Sequence, residues 1–575
     1  MKASKKKNII RFFINFALIV LVAIIGSLTF VRWDLTEEKR YSLTPASIEL
    51  LNNLDSKVLV KVYLKGDYPA DFKRLENATR ELLIELRSYS SSNVEYQFIN
   101  PSENPNKKQR EKIYGDLVGA GLMYTNLPIE TSDGIQEKII FPGALVSQGE
   151  KTYPVQLLKS KERVPNAQMI NNSINNLEFE IISAIRKLQL NKKQQIAILE
   201  GNGELSGIEI EDMVQSLLEF YSVSPVEIKG NINAFSSIID NKGYRQNNFD
   251  LLIVAKPTQR YSDKDRFIID QFIMRGGKVV WMIDAVIASM DSLKNNQQTI
   301  GLPLELNIYD MLFTYGVRVN KNLLLDKTCA PIWLNVGNFG DRPNMKMFPW
   351  YFDPILIPQG GHPIISNIDP VLTRFTSSID AVGDSSIHKI PLLQTSELTK
   401  IYTAPARINL GIINAPLDFR VNNKPFQTVA MLLQGKFESH FKYSLPSVIA
   451  DADEIDFKGD SPENQMLIIS DGDLMRNPVN SANNRFFPLG YEKNAGRIIY
   501  GNKAFLHNAI NFLLDDKSLI SIRSKSISLR KLNSDKILKE YRFWQVLNLV
   551  LPILIIVVLG VVLNLGRKKY FNKTP

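Results

Sequence analysis

QQIAILEGNGEL, residues 194–205, decides the fold. IAIL (196–199) is a short, wholly apolar run that ends in a glycine-rich turn, the signature of a parallel strand covered on both faces. Outward from it the signal repeats. A helix is expected near Ile208–Phe220, and DLLIVAKP (250–257) is a second buried strand. The helix SDKDRFIIDQFIMRGG (262–277) has Ser262 as N-cap and Gly276 at its stop, and KVVWMID (278–284) is the next strand. This order predicts an open, doubly wound α/β sheet. A stretch rich in Pro, Asn and aromatics, 285–464, then intervenes. The buried-strand pattern returns at QMLIISDGD (465–473) and RIIYG (497–501), before a helix at Lys503–Leu514. Residues 191–515 are therefore read as one α/β domain carrying 285–464 as an insertion or appended lobe.

Upstream, residues 33–190 form a smaller α/β module. In WDLTEEKRYSLTPASIELLNNL, Thr44 is a good N-cap and Pro45 sits at the first helical position, where its missing N–H costs nothing. KVLVKVYL (57–64) alternates as a half-buried strand does. The segment Pro69–Ser90 places Phe72, Leu75, Leu82, Leu86 and Tyr89 on one helical stripe, and VEYQFIN (94–100) follows as a strand. A helix near 105–115, two or three strands over 121–158 and a helix at 171–190 complete an order similar to thioredoxin-like folds. No C-x-x-C is present, so thiol redox chemistry is excluded and the module reads as a scaffold or docking domain.

Two stretches, Phe12–Val31 and Phe543–Leu565, are apolar and, at about 1.5 Å per residue, long enough to cross a bilayer. Residues 1–32 are read as a basic cytoplasmic start and an uncleaved first membrane helix, with a cleaved signal peptide as the competing reading. Residues 543–575 are read as a second membrane helix with a cytoplasmic tail, and 516–542 as a basic juxtamembrane linker. Lys2, Lys5, Lys6, Lys7 and Arg11 precede the first stretch without an acidic residue, which orients the N-terminus to the cytoplasm. Seven cations from Arg523 to Arg542 precede the second stretch against four after it, so that stretch alone would orient the other way. The first helix usually dominates, and the region between is expected to be periplasmic on a two-pass inner-membrane protein. Pro552 and Gly560, with Gly26 and Ser27, are plausible packing points for a neighbouring helix.

The net charge of +10 invites a nucleic-acid reading that its distribution removes. Residues 1–11 contribute +5 and 523–575 contribute +9, leaving about −4 on the rest, with no basic footprint. The single cysteine, Cys329, excludes an intrachain disulfide and any cysteine-rich metal site. No G-x-x-x-x-G-K-[ST] occurs, so the chain is not itself a P-loop ATPase, and two spans are too few for a permease.

Several segments together carry a family resemblance: WDLTEEKRYSLT (33–44) directly after the first apolar stretch, EGNGEL (200–205), GHPIISNI (361–368) with FTSSID (375–380), SDGD (470–473), NKAFLHNAINFLL (502–514) and RFWQVLNLVLPILIIVVLGVVLNLGRKKY (542–570). In this order and spacing, over essentially the whole chain, they resemble the gliding-motility-associated ABC transporter auxiliary proteins of the GldG type, a family often labelled substrate-binding. The resemblance implies a periplasmic domain related to class I glutamine-amidotransferase-like folds. It also implies partnership with an ABC permease and a separate ATPase subunit, and a role in surface gliding. Asn202 stands where the family usually has histidine.

Candidate chemistry is weighed against simpler roles. Gly201, Asn202, Gly203 and Glu204 follow a buried strand, where the backbone of a glycine-rich turn can hold an anion, although a tight strand-to-helix turn explains the same residues. Asp284, Asp471 and Asp473 follow the carboxyl ends of two other strands and, with Glu204, are expected to converge on one crevice. Such carboxylates suit Ca²⁺ or Mg²⁺, but turn and cap aspartates are commoner, so neither a metal nor another cofactor is expected. An amidotransferase needs a cysteine at a strand-to-helix elbow, where this chain has Ile283-Asp284-Ala285, and Cys329 lies elsewhere. His362, His388, His440 and His507 have no metal or triad spacing, and no G-x-S-x-G occurs. The aromatic segment Met347–Pro354 is read as a satellite core or as a loop that binds a glycan or partner. The expected function is a non-catalytic accessory subunit of an ABC transporter in the lipid bilayer. An extracytoplasmic receptor that delivers a small ligand, for example a glycan, to the permease is the alternative, and a hydrolase is less favoured.

Overall fold

A computed structural model describes residues 12–18, 20, 42–131, 134–158, 166–189, 193–239, 243–293, 296–339, 342–366, 368–383, 385–413, 417–445, 455–480, 483–493, 496–514 and 540–571. The N-terminal module contains α1 (Pro45–Asn52), β1 (Val58–Val62), α2 (Ala70–Tyr89), β2 (Val94–Phe98), α3 (Lys107–Gly119), the hairpin β3 (Thr125–Thr131) and β4 (Gly134–Ile140), β5 (Gly143–Gln148), β6 (Lys151–Gln156) and α4 (Asn166–Gln189). Its sheet runs β2-β1-β5-β6, with β1 and β2 parallel and the other neighbours antiparallel. Val58, Val60 and Val62 are fully buried against Leu75, Leu83 and Leu86 of α2 and Ile181, Ile182 and Ile185 of α4. Thr44 caps α1 by accepting from Ser47 N at 3.3 Å. The cap is fastened to α4 by Glu178, whose carboxylate accepts from Thr44 N at 2.8 Å and from Ser47 Oγ at 2.7 Å.

The larger sheet is built from β7 (Gln195–Glu200), β8 (Ser222–Glu227), β9 (Leu251–Ala255), β10 (Lys278–Met282), β13 (His388–Gln394), β14 (Thr428–Glu438) and β15 (Asp460–Ile469). Between β10 and β13 lies the long hairpin β11 (Cys329–Phe339) and β12 (Arg342–Leu356). The order is β13-β14-β15-β10-β9-β7-β8. Strands β8, β7, β9, β10 and β15 are parallel, and β14 and β13 extend them antiparallel at one edge.

Every residue of β9 is buried, as its unbroken apolar run predicts, and alternate residues serve two cores. Leu251, Ile253 and Ala255 face α5 (Glu211–Leu218) and α7 (Asn502–Leu513) through Met213, Leu217, Phe505 and Leu506. Leu252 and Val254 face α6 (Asp263–Met274) through Ile268, Ile269 and Phe272. Helices therefore cover both faces.

The stretch 285–464 is woven into this sheet. Strands β13 and β14 and the first half of β15 come from it, because TVAMLLQ (428–434) buries an apolar run as IAIL does. Elsewhere in the stretch, Trp350, Tyr351 and Phe352 pack with Phe375 and Leu323 in a satellite core, so the aromatics of Met347–Pro354 are largely inward.

A separate unit, residues 527–575, contains α8 (Tyr541–Phe571). Tyr541–Gly566 contains an 18-residue stretch with a mean hydropathy of 3.1 and is long and apolar enough to cross a membrane, with Pro552 inside the helix. Of the expected first membrane helix, Phe12–Leu18 and Val20 are helical, and the remainder of Phe12–Val31 lies outside the described residues. The linker up to residue 539 and the tail beyond 571 also lie outside them.

Candidate functional site

Parallel strands deliver their carboxyl ends to one edge, and there β9, β10 and β15 are followed by Lys256, Asp284 and the turn Asp471–Asp473. Lys256 has a positive φ of 53°, and its Nζ reaches 2.9 Å from Asp284 Oδ2 and 2.5 Å from Asp473 Oδ2. A side chain at position 472 would collide with Lys256, since a Cβ on Gly472 would lie 2.7 Å from Lys256 Cγ. The Gly472 N–H instead donates to Asp284 Oδ1 at 2.7 Å. Asp471 caps the short turn: its Oδ1 accepts from Asp473 N and its Oδ2 from Arg374 N, both at 2.8 Å. Burial pushes the Asp284 and Asp471 carboxyls up, in Asp284 despite the adjacent Lys256. Burial alone would lower the Lys256 ammonium, but Asp284 and Asp473 outweigh it and hold it above the ordinary lysine range.

The expected convergence of Asp284, Asp471 and Asp473 is present, but Lys256 sits where a cation would bridge Asp284 and Asp473. Among the described residues no group of three or more His, Cys, Asp or Glu is placed to hold a metal ion. Glu204 belongs to a different set of contacts. Its carboxylate accepts from Asn202 N and from Tyr261 Oη, each at 2.6 Å, and neither partner is one that the three aspartates share. Asn202 O accepts from Thr258 N and Gln259 N, and Gly203 O accepts from Thr258 Oγ1. Gly201 and Gly203 have φ of 113° and 77°, and a Cβ on Gly203 would lie 2.0 Å from Thr258 Oγ1. Gly201–Glu204 is thus a joint that pins the end of β7 to the 256–261 loop.

Beside the aspartates opens a cavity of about 650 Å³, lined by Asp473, Asp353, Arg374, Arg476 and Glu209, with Trp333 and Phe375 among its apolar walls. Arg476 crosses it, paired with Asp473 and Glu209 at 2.8 Å each. Asp353, at the end of the aromatic segment, is 5% exposed, and its Oδ1 has no hydrogen-bond partner. Burial raises its carboxyl to about 7, against the pull of Arg374. Arg374 also lines the cavity, and the surrounding Asp353, Asp473, Asp471 and Glu492 outweigh the loss of solvation around its guanidinium and raise its pKa. Lys256, Asp353 and Arg374 were not legible as site residues. The KP dipeptide after β9, the Asp at the end of MFPWYFD and the Arg before FTSSID were their only signals.

The histidines have local partners. His362 Nδ1 accepts from Ile364 N at 3.3 Å, His507 meets Ser216 Oγ at 2.8 Å, and His440 meets Thr314 Oγ1 and Arg266, each at 3.0 Å. His388 is exposed on β13. Burial, reinforced by Asp326 and Asp353, pushes the Cys329 thiol up to about 12, the opposite of an activated nucleophile.

Residues 193–509 match the family described as ABC-type uncharacterized transport system, and residues 37–147 match a domain of unknown function. A relative from Borreliella burgdorferi, described as an uncharacterized protein, is 21% identical over 446 residues, covering 76% of this chain and 80% of its own. Among solved structures, the mmIFT52 N-terminal domain aligns with a TM-score of 0.29 at 11% identity, over 56% of this chain and 98% of that one. A thua-like protein from Parabacteroides merdae aligns with a TM-score of 0.27 at 9% identity, over 60% of this chain and 94% of that one.

Proposed function

Because this chain belongs to the ABC-type uncharacterized transport system family of auxiliary proteins, we propose that it is a membrane-anchored, non-catalytic accessory subunit of an ABC transporter complex. A polytopic permease and a separate ATPase subunit are its partners in this reading. The observation that carries it is the family match over 193–509, which takes in all seven strands of the larger sheet. Helix α8 supports anchoring, since it is apolar and long enough to cross a bilayer. The order and spacing of the sequence segments support the narrower GldG-type assignment and its association with gliding. The basic start before the first apolar stretch supports a two-pass inner-membrane protein with cytoplasmic termini and a periplasmic domain.

The non-catalytic part of the proposal rests on chemistry. Cys329 is a suppressed thiol, each described histidine other than His388 is engaged in a local hydrogen bond, and the acids nearest the strand ends are paired with Lys256 or used as caps. Seven strands with helices on both faces support a relation to amidotransferase-like folds, and the β2-β1-β5-β6 order supports a thioredoxin-like scaffold. Affinity purification of the tagged full chain in mild detergent tests the assignment. Co-elution of a permease and a P-loop ATPase, lost when 541–571 is deleted, is expected. Elution without either would overturn it.

A further inference from the structure

We propose that the cavity beside the strand ends binds a small zwitterion, with Arg374 taking its acidic group and Asp353 its ammonium. The inference goes beyond the transporter assignment and stands on the accounting of charges around the cavity. Asp473 is neutralised by Lys256 and Arg476, Glu209 by Arg476, and Asp284 by Lys256 and the Gly472 N–H. Asp291, Glu492 and Lys493 also line the cavity, Lys493 Nζ donating to Val479 O; Arg374 and Asp353 stand outside all of these pairs. Among the described residues no carboxylate oxygen lies within 4.0 Å of the Arg374 guanidinium. Its backbone N–H, by contrast, is tied to Asp471, so the residue is held while its side chain stays available. Asp353 is almost completely enclosed, lines the same cavity and keeps one carboxylate oxygen without a partner.

Burying a carboxylate without hydrogen bonds is costly, and interiors normally satisfy such groups. A buried carboxylate oxygen without a partner and a guanidinium without an ion pair, on one cavity yet too far apart to pair with each other, are explained if a ligand engages both. A guanidinium presents a planar fork suited to a carboxylate or phosphate, and a carboxylate accepts from an ammonium. A simple anion would gain Arg374 but meet the field of Asp353 and Asp473; a simple cation would meet the reverse. A molecule bearing both charges avoids either conflict. A volume of about 650 Å³ suits an amino-acid or short-peptide ligand, and Trp333 and Phe375 offer apolar walls for its side chain.

The test is calorimetric titration of the full chain in detergent with free amino acids and with dipeptides, each beside its N-acetylated and C-amidated counterpart. The expected result is binding of zwitterions that weakens about tenfold or more when either end is blocked. Arg374→Gln should remove the preference for a free acid, and Asp353→Asn the preference for a free amine, with a circular-dichroism spectrum matching the parent's and a cooperative melt as the folding control. Trp333→Ala, at the cavity wall, should weaken binding while preserving both end-group preferences. Absence of binding by every compound at millimolar concentration overturns the proposal. So does binding indifferent to blocked ends, or undiminished in Arg374→Gln. The titration uses this chain alone, so its failure leaves the transporter assignment standing.

Discussion

The ammonium of Lys256 and the carboxylate of Asp284 meet at 2.9 Å across the carboxyl ends of two neighbouring parallel strands. Both side chains are mostly buried, at 15% and 10% exposure, so removing one leaves the other charged and poorly solvated. Lys256→Met should therefore destabilise the larger domain by about 3 kcal/mol or more. In a thermal-melt double-mutant cycle, Lys256→Met combined with Asp284→Asn should cost less than the sum of the single changes. Strict additivity would mean the pair is not coupled.

The glycine-rich joint makes a second expectation. Gly203 has a φ of 77° and no room for a Cβ, whereas Gly207 has a φ of 54° and nothing within 4 Å of an added Cβ. Gly207→Ala should cost about 1 kcal/mol through backbone strain alone, and Gly203→Ala about 2 kcal/mol or more because Thr258 must also move. Melting of the two variants side by side checks the ranking. Equal losses would contradict the reading of 201–204 as a packed joint.

Asp353 links stability to pH. Its folded carboxyl titrates at about 7, above an unfolded value near 3.9, so the stability it contributes is full below about pH 4 and is lost as pH rises through 7. Asp353→Asn cannot ionise and escapes that loss. The melting temperature of the variant relative to the parent should be higher at pH 8 than at pH 5. A difference independent of pH would refute the assigned environment.

Cys329 should be slow to react. With its thiol pushed up to about 12, alkylation by iodoacetamide at pH 8 should run roughly a thousandfold slower than for a free cysteine and accelerate on unfolding. Rapid modification of the folded chain would reopen a catalytic role for this residue.

The legible parts of the fold share one physical cause. Strands β7, β9, β10 and the second half of β15, Met466–Ile469, are covered on both faces and carry buried apolar runs, and parallel strands bring whatever follows them to one edge. That is why Asp284, Asp471 and Asp473 were found together from sequence. Strands β13 and β14 escaped notice because their apolar runs sit in Pro- and Asn-rich surroundings that read as an appended lobe. Glu204 was assigned to the same crevice because it also follows a strand, but Tyr261 and Asn202 N hold its carboxylate in the turn. Arg374 and Asp353 were invisible, since being left unpaired is a property of the packed structure and of no local pattern.

If this chain works as a subunit of a transporter, its helix α8 should lie against the permease within the membrane. A photo-crosslinking residue placed in turn at Pro552 and Gly560 of the full chain, activated in its native membrane, reports the neighbour of each position. A crosslink to a polytopic permease that co-purifies with a P-loop ATPase is expected. Crosslinks to lipid alone, or between copies of this chain only, at both positions would contradict it.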